Sequence, residues 1–76
     1  MVTEKQFKLL RFILIHKERT FTQRQLAEKL DLSLGTVNAL VKKLKEEKWI
    51  DEEHHLTELG QKVLDPYQVK NAIIMA

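Results

Sequence analysis

Cysteine is missing from this chain, which rules out a disulfide framework and any thiolate metal site. One proline and two glycines in 76 residues leave few places for tight turns, so a turn-rich β-sandwich is a poor fit and helices are favoured. No apolar run exceeds the five residues Ala72 to Ala76. That is far short of the roughly 20 needed to span a bilayer, and no signal peptide is recognisable. The expectation is a soluble, cytoplasmic chain. Neither sign of charge dominates, the net being +2. The distribution is uneven, however: residues 1–50 carry a net of +5 and residues 51–76 a net of −3. A basic helical half is the electrostatic footprint a nucleic-acid binder leaves, although an ordinary solvated face has the same composition.

What the chain does have is a regular series of helix starts. A domain of this size buries only about 60% of its unfolded surface, so each start matters. Thr3 with Gln6 and Thr22 with Gln25 have the spacing of capping boxes, in which two side chains satisfy each other's free backbone N–H groups. Phe7, Leu10, Ile13 and Leu14 give the first helix its apolar stripe, to about Lys17, and leave Phe12 and Ile15 off it. Phe21 before the second cap and Leu26 inside the helix fit a hydrophobic staple. Leu26, Ala27 and Leu30 face inward. Asp31-Leu32-Ser33 makes a short turn, and Ser33 caps a third helix over residues 33–48 with Leu34, Val37, Leu40, Val41 and Leu44 as its core face.

Trp49-Ile50-Asp51 and His55-Leu56-Thr57 read as two short strands around an acidic turn. Thr57 then caps a last helix with Leu59, Val63 and Leu64 inward. Asp65-Pro66-Tyr67 is expected to end it, since proline cannot continue the ladder. The fold class is therefore mainly α with a small β-hairpin: a three-helix core, a two- to three-stranded sheet and a C-terminal helix.

Two helices joined by a short turn form a helix-turn-helix, whose second helix can enter the major groove. Such a helix needs small or hydrogen-bonding side chains at its N-terminal end and cations farther along. Ser33, Gly35, Thr36 and Asn38, followed by Lys42 and Lys43, meet both demands, and Arg24 on the preceding helix adds a cation. With about four cations on phosphates, the log–log salt slope of DNA affinity would be about −3.6.

These residues carry a resemblance. Leu26-Ala27-Glu28 with Leu30, Leu32-Ser33, Thr36-Val37, Leu44, Ile50 and the run Leu56-Thr57-Glu58-Leu59-Gly60 resemble the winged helix-turn-helix domains of bacterial regulators, including the MarR-like group, over residues 5–65. The resemblance implies double-stranded DNA as partner, transcriptional regulation as role and residues 33–48 as recognition helix. Three departures stand out. Asp31 and Lys48 occupy positions where family members often have glycine, and the wing tip Asp51-Glu52-Glu53-His54 is acidic where a cation is usual.

Catalytic and metal chemistry find little purchase, and no cofactor is implied. His54 and His55 beside Glu52 and Glu53 invite a metal reading, but neighbours on a strand point to opposite faces. The last residues, Val69 to Ala76, lie beyond the winged helix, which sets a boundary between residues 1–65 and a linker with a new start at 66–76. Ala72 to Ala76 resembles the first buried strand of sugar- or choline-phosphate nucleotidyltransferases. That resemblance implies a second reading, a regulatory or protein-interaction domain fused ahead of a cytidylyltransferase-like catalytic domain. Lys70 to Ala76 would then be poorly ordered or loosely packed here. A third reading is a self-standing homodimer joined through Phe12, Ile15 and the C-terminal segment.

Overall fold

In a computed structural model, which describes the backbone of residues 2–75 and the side chains of residues 2–66, four helices follow one another: α1 (Glu4–Ile15), α2 (Gln23–Leu30), α3 (Leu34–Glu46) and α4 (Glu58–Met75). The starts are those the caps dictate. Thr3 Oγ1 accepts from the Gln6 N–H at 3.1 Å while Gln6 Oε1 accepts from the Thr3 N–H at 3.0 Å. Thr22 and Gln25 repeat the exchange at 3.1 and 2.9 Å. Ser33 Oγ accepts from the Thr36 N–H at 3.1 Å. Each such cap is worth about 1 kcal/mol.

α1 lies against the other three helices, and α2 packs on α3. Leu9, Leu10, Leu26, Val37, Val41, Leu44 and Leu64 are fully buried between them, each contributing roughly 1.5–3 kcal/mol of apolar transfer. Leu9, which the expected stripe omitted, lies in this core, whereas Phe7 and Leu14 are only half-buried. Leu34 and Leu59, expected inside, are 38% and 47% exposed. Each sits in the first turn of its helix. Phe21 is buried beside Leu26 as a staple requires.

The turn between α2 and α3 depends on Asp31, which adopts φ 57°, ψ 47°. Leu32 N–H donates to the Ala27 carbonyl at 3.0 Å, a six-to-one bond that closes α2 only when its end residue is left-handed. Asp tolerates this conformation better than most residues. Lys8 Nζ donates to the Leu30 carbonyl at 2.8 Å, tying α1 to the same end. Lys48, at φ 64°, does for α3 what Asp31 does for α2: Trp49 N–H returns to the Leu44 carbonyl at 2.9 Å. Both departures from family glycine thus sit on left-handed backbone.

Two expectations need correction. The two strands reduce, among the described residues, to a single antiparallel bridge between Ile50 and Leu56. It is bracketed by the bonds Asp51 N–H to His55 carbonyl and Thr57 N–H to Trp49 carbonyl. His54 at φ 64° and the bonds Asp51 makes to the turn leave no room for a longer ladder. The second correction concerns Pro66, which does not end the last helix: α4 runs through it to Met75. Proline removes its own N–H bond, and α4 absorbs that loss. Residues 72–75 therefore continue a helix instead of opening a strand, and the packing expected of Lys70 to Ala76 lies outside the described residues.

Candidate nucleic-acid interface

At 100° per residue, α3 turns Val37, Val41 and Leu44 into the core and presents Gly35, Ala39 and Lys42 on the opposite side. Gly35, Asn38 and Lys42 are all exposed there, so the structure brings these three expected residues onto one face. Thr36 and Lys43 fall on a flank. Thr36 is half-buried and its hydroxyl accepts from Ser33 Oγ at 2.8 Å, so both hydroxyls are partly committed to the cap. Lys43 Nζ lies 3.4 Å from Glu47, one helical turn on. Arg24 is exposed on the first turn of α2, a different element.

Gly35 is unusual among these. A Cβ built on it would meet nothing within 4 Å among the described residues, so no contact among them calls for glycine. The first turn of α3 therefore presents bare backbone to the outside, flanked by the free N–H groups that any helix start offers.

The wing is built differently, with Asp51 and both histidines hydrogen-bonded back to the chain. Asp51 Oδ1 accepts from the N–H groups of both Glu53 and His55 at 2.9 Å. The His55 N–H bond foremost holds the Asp51 carboxyl below its ordinary range; burial opposes this, and the Glu53 N–H and the charges of His55 and His54 add to it. His54 Nδ1–H donates to the Phe21 carbonyl at 2.9 Å, and His55 Nε2 is hydrogen-bonded to Thr20 Oγ1 at 2.9 Å. The strand-alternation reasoning for the two histidines fails because His54 lies on a left-handed turn. Both rings reach the connector between α1 and α2. Lys45 Nζ, on the last turn of α3, lies 3.5 Å from Glu52 Oε2 at the wing tip. Sequence reasoning missed these contacts; the partners of His54 and His55 lie 33 and 35 residues away in the chain.

A MarR family model matches residues 2–57. The chain belongs to the MarR family. Among solved structures, it is similar to a point mutant of MepR from a multidrug-resistant Staphylococcus aureus clinical isolate, with 26% identity over 90% of this chain and a TM-score of 0.83. MepR itself, described as a transcription regulator of the S. aureus multidrug efflux pump MepA, superposes with a TM-score of 0.78 at 21% identity over 97% of this chain. The chain spans only 56% and 64% of those two proteins. No curated protein matches it. The architecture is thus a mainly helical winged helix of the MarR kind, with the wing shortened to one bridge. The resemblance of the last residues to a nucleotidyltransferase strand draws no support from these relatives. Among the described residues, no helix is long and apolar enough to cross a membrane.

Proposed function

We propose that this chain is a DNA-binding module of a transcriptional regulator, with α3 (Leu34–Glu46, capped by Ser33) as its recognition helix. Gly35 carries the reading. Inside a helix glycine costs about 1 kcal/mol relative to alanine, and the open space around this one offers no internal return. A duplex seated against the first turn of α3 supplies the missing reason, because backbone there can approach base edges closely. Asn38 then faces base edges, where its amide can pair with adenine. Arg24, Lys42 and Lys43 neutralise phosphates, and Ser33 and Thr36 shape the helix start. One such helix reads one half-site, so a second copy or further chain would complete the operator.

The test is the salt dependence of binding to a fluorescent duplex of mixed sequence. Three phosphate contacts give a log–log slope of about −2.7. A slope near zero, or no binding to any duplex at low salt, would end the proposal.

A further inference from the structure

Asn38, Lys42 and Lys45 stand at i, i+4 and i+7 along α3, which places them in one row from the exposed helix start toward the wing. The row ends where Lys45 meets Glu52 across 3.5 Å. The two partners are unlike. The Lys45 side chain is 30% exposed, whereas that of Glu52 is 91% exposed. The cation is held in place and the carboxylate is free to swing away. The N–H groups of the wing turn bond to Asp51 and not to the Glu52 side chain: those of Glu53 and His55 to Oδ1, that of His54 to the Asp51 carbonyl.

We propose that Lys45 is a further phosphate-binding residue and that Glu52 occupies it, standing where a DNA phosphate oxygen would. This rests on the DNA-binding reading and deepens it. Lys42 and Lys45 share a row with Asn38, so a duplex seated along the recognition helix would meet both cations with its phosphates. At Lys45 this protein places a carboxylate against the cation. The acidic wing then lowers affinity for any duplex through one specific pair, more than through diffuse repulsion. A pair this exposed is worth no more than about 1 kcal/mol, so releasing Lys45 from it changes affinity by a small factor.

Glu52→Gln, Lys45→Ala and the double variant decide the matter, each titrated with a fluorescent mixed-sequence duplex across a salt series. Glu52→Gln is expected to bind about fivefold tighter at low salt, with a slope steeper by about 0.9 for one added phosphate contact. Lys45→Ala should leave the parent chain almost unchanged yet abolish the gain in the Glu52→Gln background. Unaltered affinity and slope in Glu52→Gln, with the parent still binding, would overturn the pairing alone. A gain that survives Lys45→Ala would overturn it too, assigning the effect to general charge. Failure of every variant to bind any duplex would overturn both this and the DNA-binding reading.

Discussion

The chain's two glycines lie in regions that use the residue for opposite reasons. At Gly60, in the first turn of α4 beneath the wing, a Cβ would be driven into the Trp49 carbonyl and sit 2.9 Å from Leu56 Cδ1. At Gly35, in the first turn of α3, a Cβ would meet empty space. The wing base is closed on itself: Thr57 Oγ1 donates to the Lys48 carbonyl at 2.6 Å and accepts from the Gly60 N–H at 3.0 Å, fixing α4 against the end of α3. The α3 tip is open. Similar glycines in helix first turns therefore carry different information. One reports on the fold, the other on something outside it.

Gly60→Ala tests the first half and has the largest expected effect. The new methyl cannot be accommodated by a flexible neighbour, because the obstructing atom is backbone. Overpacking of this kind costs about 3 kcal/mol, a large share of the roughly 5 kcal/mol available to a small domain. Urea denaturation should show the midpoint falling accordingly, with a melting temperature lower by about 15 °C. A variant within about 0.5 kcal/mol of the parent would mean that α4 slides freely over the wing.

Gly35→Ala tests the second half and should move the two properties apart. Alanine in an exposed helix turn stabilises by up to about 1 kcal/mol relative to glycine. The same methyl stands between the backbone and a docked duplex, and DNA affinity is expected to fall about tenfold. Thermal melts and duplex titrations on one preparation measure both. If affinity holds while stability rises, Gly35 has no outward role and the contrast between the two glycines dissolves.

How much of this could be read from the sequence follows from how local each cause is. The boxes at Thr3/Gln6 and Thr22/Gln25 and the cap at Ser33 lie within three residues of their partners, and they stand in the structure as the spacing implies. The left-handed backbone at Asp31 and Lys48 was legible as a departure from family glycine. Pro66 was misread because a proline inside a helix costs about 3 kcal/mol or more without forbidding continuation, and α4 runs on through it. Leu34 and Leu59 follow the right period, but periodicity does not say where a neighbouring element stops. The wing contacts are the hardest case. His54 to Phe21 spans 33 residues and His55 to Thr20 spans 35, and neither pairing has a local signature. Of the proposed interface, the outer face of α3 was legible in the sequence; the Lys45–Glu52 pair became visible only once the wing was folded back.

The smallest effect concerns the wing's self-sufficiency and is read through pH. The Asp51 carboxyl is held below its ordinary value chiefly by the His55 N–H. A depressed carboxyl contributes stability that is present above its unfolded pKa and lost as pH falls through the folded value. Asp51→Asn keeps an oxygen that can accept from Glu53 and His55 but removes the charge. The parent should therefore be slightly more stable than Asp51→Asn above the ordinary carboxylate pKa of about 4. Below it that advantage should shrink toward nothing. Because Asp51 is exposed, solvent screens the effect and keeps it small. Paired urea titrations at neutral pH and at successively more acidic pH measure it. A difference that stays constant with pH would show that hydrogen-bond geometry alone, and not the ionised carboxylate, closes the wing.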